Sequence, residues 1–294
     1  MRVVAVVGPT AAGKSDLAVA LAHECGGEVV NADSMQLYRG MDIGTAKLTA
    51  AEQQGVPHHL LDVWDVRVTA TAAAYQQLCR ATIADLFARG VTPILVGGSG
   101  LYVRAALDQL EFPGTDPELR ASLEQDLAAD GPGPLHARLA ALDPAAAARM
   151  EPSNGRRVVR ALEVVLLTGS MPGALTAYPM HVPSVYVGLD RDDLGERVAS
   201  RVDRMWEQGL VAEVAGLDGL RDGVTASRAL GYAQALAQLA GDLTEAQAKE
   251  RTVTATRRFV RRQRAWFRRD PRVIWLDPAH NLLTQAQRAM LSTD

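Results

Sequence analysis

The chain opens on a valine-rich run, Arg2 to Val7, that stops at a glycine. Such a run reads as a parallel strand buried on both faces. Ser15 to Glu24 follows with leucine and alanine at helical spacing, and Glu28 to Ala32 makes a second short strand. Apolar residues at 75, 78, 79, 83, 86 and 87 form a helical stripe over Tyr75 to Arg89, and Val91 to Val96 supplies a third strand. Strands alternating with helices predict an α/β fold, an open parallel sheet with helices on both faces.

The pattern changes at Glu111. From there to Pro183 no stretch has strand character, and proline and glycine recur. Asp116-Pro117-Glu118 has the form of a helix start with Leu119, Leu123 and Leu127 on one face, and Asn154 to Leu167 reads as a second helix. Gly131 to Pro134 and Gly169 to Pro183 punctuate the segment. The α/β character then resumes with a strand over Val185 to Leu189 and a helix from Asp192 to about Gly209. A long basic helix from Thr244 to about Arg268 and a strand over Val273 to Leu276 complete it. The expectation is a discontinuous core, 1–110 and 184–294, interrupted by an inserted helical lobe at 111–183.

With 294 residues, 48% hydrophobic and 22% charged, the chain has enough apolar content for a folded core, which excludes a disordered or fibrous protein. No apolar stretch reaches the roughly 18 residues of a membrane span, and Met1-Arg2 leads straight into the first strand. Neither a membrane partner nor a signal peptide is expected. Cys25 and Cys79 lie in helical segments with no partner at metal-ligand spacing, which suits a reducing cytoplasm and gives no zinc site.

The net charge of -3 hides an uneven distribution. Nine arginines (251, 257, 258, 261, 262, 264, 268, 269 and 272) stand against one acid, Asp270, between Arg251 and Arg272. A charge run is usually a solvated face. Arginine throughout, interleaved with Phe259, Trp266 and Phe267, instead favours phosphate contact, because the guanidinium fork matches phosphate oxygens. An RNA or DNA partner is therefore a candidate.

Gly8-Pro9-Thr10-Ala11-Ala12-Gly13-Lys14-Ser15 matches the Walker A pattern, placed after a buried strand and opening a helix. The fold class sharpens to a P-loop NTPase-like core. Loop N–H groups wrap phosphate oxygens, Lys14 neutralises the outer phosphate, and the Ser15 hydroxyl is the expected Mg²⁺ ligand. ATP or another nucleotide is the ordinary occupant of such a loop. Yet Pro93 to Val96 ends in Gly97-Gly98-Ser99-Gly100-Leu101-Tyr102, with no Walker B carboxylate. The carboxylate that does follow a strand is Asp33, in Asn31-Ala32-Asp33-Ser34. It reads either as a turn cap or as a general base facing the phosphates. Two classes fit these residues: a small-molecule kinase, or a transferase with diphosphate as leaving group.

The P-loop and Asp33-Ser34-Met35-Gln36-Leu37-Tyr38 are followed by Gly40-Met41-Asp42-Ile43-Gly44-Thr45-Ala46-Lys47, Pro57-His58-His59-Leu60-Leu61-Asp62 and Gly97 to Tyr102. These occur in the order seen in the tRNA dimethylallyltransferases. The likeness continues through Asn154 to Glu163, Leu189-Asp190-Arg191 and Arg228-Ala229-Leu230-Gly231-Tyr232, so the chain resembles that family over nearly its whole length. The resemblance implies transfer of a dimethylallyl group from its diphosphate to N6 of adenosine 37, in the anticodon stem-loop of tRNAs reading codons that begin with U. It implies Asp33 as base at the adenine amine, with Lys14, Ser15 with Mg²⁺, and Arg228 stabilising the diphosphate. It implies tRNA contact by Asp33, Ser34, Met35 and Gln36, by Ser99 where many relatives carry threonine, and by Arg120, Arg156, Arg157 and Arg160. A cytoplasmic monomer is expected. An isopentenyltransferase acting on free adenine nucleotides, and an RNA-binding module using the P-loop as a switch, are the competing readings. The helical lobe and the arginine cluster argue for a macromolecular acceptor, and Asp33 argues against a silent module.

Plainer roles are expected elsewhere. His58, His59 and Asp62 read as structural, and Trp64, Trp206, Trp266 and Trp275 as packing. Tyr38 and Tyr102 adjoin the motif loops and stay open between packing and base stacking.

Overall fold

The computed structural model describes residues 1–173 and 177–291. Residues 174–176, within the expected punctuation of 169–183, and 292–294, at the end of the expected core, lie outside the described residues. Along the chain come β1 (Val3–Val7), α1 (Lys14–Cys25), β2 (Glu28–Asn31), β3 (His58–His59), α2 (Ala72–Ala88), β4 (Pro93–Gly97) and α3 (Gly100–Leu107). Four helices follow: α4 (Pro117–Asp130), α5 (Pro132–Leu142), α6 (Pro144–Ala148) and α7 (Gly155–Thr168). Then come β5 (Ser184–Leu189), α8 (Leu194–Glu207), α9 (Leu210–Gly216), α10 (Tyr232–Leu239), α11 (Glu245–Phe267), β6 (Val273–Leu276) and α12 (Leu282–Leu291).

The chain divides into two compact units, Met1–Gln109 with Pro179–Asp294, and Leu110–Tyr178. In the first unit six parallel strands lie in the order β3-β2-β4-β1-β5-β6. β1 is central and buried along its whole length, as its continuous apolar run requires. Val4 and Val6 pack with Leu17 and Leu21 of α1, Val198 of α8, Val260 of α11 and Ala286 of α12. α2 and α3 pack on β4 from the other face, α2 burying Tyr75, Cys79, Ile83 and Leu86. A separate apolar cluster of Tyr38, Met41, Trp206, Leu210 and Tyr232 ties the segment after β2 to α8, α9 and α10.

The local signals act as their chemistry dictates. Thr244 and Gln247 form a reciprocal capping box at the start of α11. Asp116 accepts from the N–H groups of Glu118 and Leu119 ahead of Pro117, and Asn154 caps α7.

The second unit consists of α4 to α7 around Leu123, Leu135, Leu139, Val158, Leu162 and Val165, with no strand among its described residues. It ends at Tyr178, short of the expected 183, because 179–183 pairs back onto the first unit. Gln109 donates its N–H to the Pro179 carbonyl (2.8 Å), His181 to Leu107 (2.8 Å) and Val3 to Pro183 (2.9 Å). Helices α3, α5, α6, α9, α10 and α12 and the two-residue strand β3 go beyond the expected elements.

Candidate active site

The C-terminal ends of β1, β2 and β4 gather the P-loop, Asp33 and the Gly97–Gly100 turn at one sheet edge, where open parallel sheets bind ligands. Gly8 follows β1 with φ 136°, and a Cβ there would meet the Leu189 carbonyl oxygen at 2.1 Å. Ala11 adopts φ 66°, and Gly13, at φ 92°, turns the chain into α1. Lys14 Nζ donates to the Pro9 carbonyl (2.7 Å), so the ammonium is held across its own loop. Burial pulls the Lys14 pKa down to about 8, with nearby Asp33 opposing the shift and Arg201 adding to it. Those three side chains are thus electrostatic neighbours.

Asp33 is fixed by an interlocking turn. Its N–H donates to Asn31 Oδ1 (2.8 Å), and its own Oδ1 accepts from the Met35 N–H (2.9 Å). Asn31, 2% exposed, also donates to the carbonyls of Asp33 and Leu60 (3.0 Å each), and its carbonyl accepts from Tyr75 OH (2.9 Å). Turn cap and cavity-lining carboxylate therefore describe one residue: Oδ1 holds the turn while the side chain borders the site. Tyr102 stacks on Tyr75, ring centroids 4.5 Å apart, and burial pushes its hydroxyl above its usual range, with Tyr38 and Asp33 adding to the shift. Tyr38 is fully buried, donating to the Val68 carbonyl (2.8 Å), and so packs rather than stacks on a base.

Two cavities meet here. A polar cleft is lined by Thr10, Ala11, Gly13, Lys14, Ser15 and Gln36, and by Arg197, Arg201 and Arg204 of α8. A largely apolar cavity of about 330 Å³ is lined by Val198, Val202, Met205, Leu230 and Phe259, with Ser34, Met35, Ser99, Arg228 and Arg262 on its walls. Thr10, Asp33, Thr45, Arg201 and Met205 line both. Ser99 Oγ accepts weakly from the Ser34 N–H (3.4 Å), joining two of the expected contact residues. Pro9 and Ala12 line neither cavity; Ala12 is buried, and Pro9 supplies the carbonyl that holds Lys14.

The arginine row of α8 goes beyond the site residues expected from the sequence. Positions 197, 201 and 204 share one helix face, the only local signal, and such a row usually reads as solvated charge. Arg197 donates to the Ala11 carbonyl (2.8 Å) and Arg201 to the Thr45 carbonyl (3.2 Å), which brings both onto the motif loops. Burial lowers the Arg201 pKa, while Asp33 counters that effect.

The Gly40–Lys47 run is braced from outside the motif. Glu213 of α9 accepts from the N–H groups of Asp42 (3.2 Å), Ile43 (2.7 Å) and Gly44 (3.4 Å), and from Tyr232 OH. Lys47 pairs with Asp42 (2.5 Å) and Asp62 (2.6 Å), so Asp62 has a structural partner. His59 pairs with Glu28 (2.6 Å), and His58 contacts the Val56 carbonyl (2.8 Å).

The glycines of Gly97–Gly100 are explained by close approach. A Cβ on Gly97 would lie 2.4 Å from the Ala32 carbonyl, on Gly98 2.2 Å from Gln263 Nε2, and on Gly100 2.1 Å from Trp266 Nε1. Helix α11 therefore packs directly on this turn.

That helix is less uniformly basic in space than in sequence. Arg264 and Arg268 pair with Asp190 (2.7 and 3.1 Å), Arg272 with Asp108 (2.6 Å) and Asp270 (2.7 Å), and Arg257 donates to the Gly195 carbonyl (3.0 Å). Asp190 and Asp108 come from distant elements, so acids outside the segment offset part of the charge that nine arginines against the local Asp270 suggest. Arg258, Arg261 and Arg262 remain exposed, Arg262 lying 5.6 Å over the Phe259 ring. Asp190, which follows β5, is occupied by arginines and by the Arg191 N–H.

Arg120, Arg156, Arg157 and Arg160 belong to the second unit. Arg156 and Arg157 are exposed at the start of α7. Arg120 and Arg160 converge on Glu163, whose side chain is 0% exposed and also accepts from the Asp116 N–H (3.0 Å). Burial would raise the Glu163 carboxyl, but these hydrogen bonds outweigh it and hold it below the usual range.

Among the described residues no three His, Cys, Asp or Glu side chains form a metal cluster. Mg²⁺ commonly takes only one or two protein ligands alongside substrate phosphates and water. The Ser15 hydroxyl, lining the cleft beside Lys14, fits that mode.

The IPP transferase family model matches residues 36–270 of this chain. The chain is 64% identical over 294 residues to a tRNA dimethylallyltransferase of Salinispora arenicola, covering 98% of this chain and 86% of the relative. Among solved structures it is similar to the full-length tRNA isopentenylpyrophosphate transferase of Bacillus halodurans. That match has a TM-score of 0.70 and 40% identity, covering 98% of this chain and 93% of the other. It is also similar to a eukaryotic dimethylallyltransferase acting on tRNA, with a TM-score of 0.79 and 26% identity, covering 98% of this chain and 77% of the other.

Proposed function

The chain belongs to the IPP transferase family, and on that premise we infer that it transfers a dimethylallyl group from dimethylallyl diphosphate to tRNA and releases diphosphate. The observation that carries this reading is the junction of the two cavities. A polar cleft holding Lys14, Ser15 and three arginines suits a diphosphate, and an apolar cavity suits a prenyl chain and a base. Asp33 stands on the wall they share.

The acceptor is N6 of adenosine 37 in the anticodon stem-loop of tRNAs reading codons that begin with U. An exocyclic adenine amine is a weak nucleophile, so the allylic carbon must carry a well-stabilised leaving group. In the step, the N6–C1 bond forms as the C1–O bond breaks; the diphosphate leaves with the bonding pair and Asp33 takes the N6 proton. Lys14, Arg201 and Arg228 stabilise the departing charge, and Ser15 would hold a Mg²⁺ that would neutralise it further. The adenine leaves its stack to reach Asp33. Ser34, Met35 and Ser99 border the base, Gln36 holds the neighbouring loop through the carbonyls of Thr45 (3.1 Å) and Ala46 (3.3 Å), and Arg120, Arg156, Arg157 and Arg160 meet the RNA backbone. Nucleoside triphosphates, whose phosphates suit the same loop, compete with the donor.

Among the described residues no helix is long and apolar enough to cross a membrane. The reading places the protein in the cytoplasm as a monomer. Its test is purified protein with Mg²⁺, dimethylallyl diphosphate and a tRNA bearing adenosines at 36 to 38. The expected product is the prenylated base at 37; efficient modification of free AMP with tRNA untouched would overturn it.

A further inference from the structure

We propose that Gln263 is a positioning residue that sets the P-loop and the Ser99 turn from the arginine helix, so that RNA seated on α11 and diphosphate held by the loop strengthen each other's binding. The inference rests on the functional reading above, and concerns an uncharged residue inside the arginine cluster that none of the quoted motifs contains.

Gln263 is 5% exposed near the C-terminal end of a charged helix. Its Oε1 accepts from the Thr10 N–H (3.0 Å), and its Nε2 donates to the Gly98 carbonyl (2.9 Å). A backbone N–H can only donate and a carbonyl can only accept, so the orientation of the amide is fixed by its partners. Only a side chain with a donor and an acceptor on one rigid plane satisfies both. Glutamate would set a carboxylate against the Gly98 oxygen; leucine would leave both backbone groups without a partner.

What the amide joins gives it a role beyond packing. Thr10 lines both cavities and leads into the residues that cradle phosphate. Gly98 precedes Ser99, which borders the apolar cavity. On the helix side, Gln263 is flanked by exposed Arg261 and Arg262, and Trp266 presses on Gly100 within one turn. A shift of α11 on engaging phosphate is therefore imposed on Thr10 and Gly98 through two directional bonds. Linkage then requires that loop occupancy act back on the helix by the same factor.

The experiment measures binding of inorganic diphosphate, with and without an anticodon stem-loop RNA, to wild type, Gln263→Leu and Gln263→Glu. In wild type the RNA is expected to tighten diphosphate by about fivefold or more, a usual size for coupling between sites. In Gln263→Leu that factor collapses toward one while affinity for RNA alone is unchanged. Gln263→Glu behaves like the leucine variant at neutral pH. As pH falls, its buried carboxyl takes up a proton, and the neutral acid both donates to Gly98 and accepts from Thr10. The coupling factor relative to wild type then climbs back. A pure packing role gives no such pH dependence, and this arm decides the matter should the leucine variant fail to fold. A wild-type coupling factor that survives in Gln263→Leu, no coupling in wild type, or a flat ratio for Gln263→Glu would overturn the proposal. Because coupling is read without turnover, protein that couples but transfers nothing refutes only the functional reading. Protein that transfers without coupling refutes only this one.

Discussion

Arg264 donates its Nε to Asp190 Oδ1 at 2.7 Å, binding the last turn of α11 to the end of β5. The contact divides the arginine run into residues that hold the fold and residues that face outward. Replacing Arg261 and Arg262 with glutamine is expected to weaken tRNA binding and reduce the slope of log affinity against log salt by about 1.5 to 2, as for two lost phosphate contacts. Arg264→Gln is expected to leave the slope nearly unchanged and lower the thermal midpoint. Salt titrations and melting curves of the variants check both.

Asp33→Asn keeps an oxygen for the Met35 N–H and so preserves the turn. Turnover is expected to fall by about 10² to 10⁴-fold with tRNA affinity retained, the loss typical of a missing general base. Single-turnover rates beside direct RNA binding separate the two; unchanged turnover would remove Asp33 from the base role.

Lys14 loses its charge as pH rises through about 8. Charge on the free enzyme is needed to capture the donor, so kcat/KM for dimethylallyl diphosphate is expected to decline above that pH. Asp33 opposes the depression, so Asp33→Asn should move the alkaline limb to lower pH. A pH profile of kcat/KM for both proteins checks the direction.

Arg201→Ala is expected to cost about 10² to 10³-fold in kcat/KM, the scale of one lost electrostatic stabiliser. Inorganic diphosphate binding should weaken in parallel, while tRNA affinity holds. Equal loss in tRNA binding would instead assign Arg201 to the acceptor.

In the second unit, Glu163→Gln removes the carboxylate shared by Arg120 and Arg160 and is expected to destabilise by about 2 to 3 kcal/mol, the worth of charged hydrogen bonds. The sign with pH follows from the depressed carboxyl. Its stabilisation is present above the ordinary glutamate range and is lost as pH falls through its lowered folded value. Denaturant melts at neutral and acid pH check it.

What was legible in the sequence was local. The P-loop, the Asp33 turn and the α11 cap each depend on residues within a few positions, so pattern and spacing reveal them. Arg201 was not legible, because an arginine row on α8 becomes a site only when the sheet edge brings Asp33 and Lys14 beside it. Nor were the pairings of Arg264 with Asp190 and of Arg272 with Asp108, which join residues 74 and 164 positions apart. Gln263 was hidden for the same reason. A helix beginning at Gly100 gave little propensity to read, and its glycines make sense only once α11 is in place.

The strand order has a consequence for the chemistry of distance. β4 lies between the strand that leads to Asp33 and the strand that leads to the P-loop. Two strand spacings, about 10 Å in all, therefore separate the segments that carry acid and lysine. The sheet acts as a ruler: its hydrogen bonds, rather than any flexible loop, set the span across which an amine and a departing diphosphate can face the same carbon.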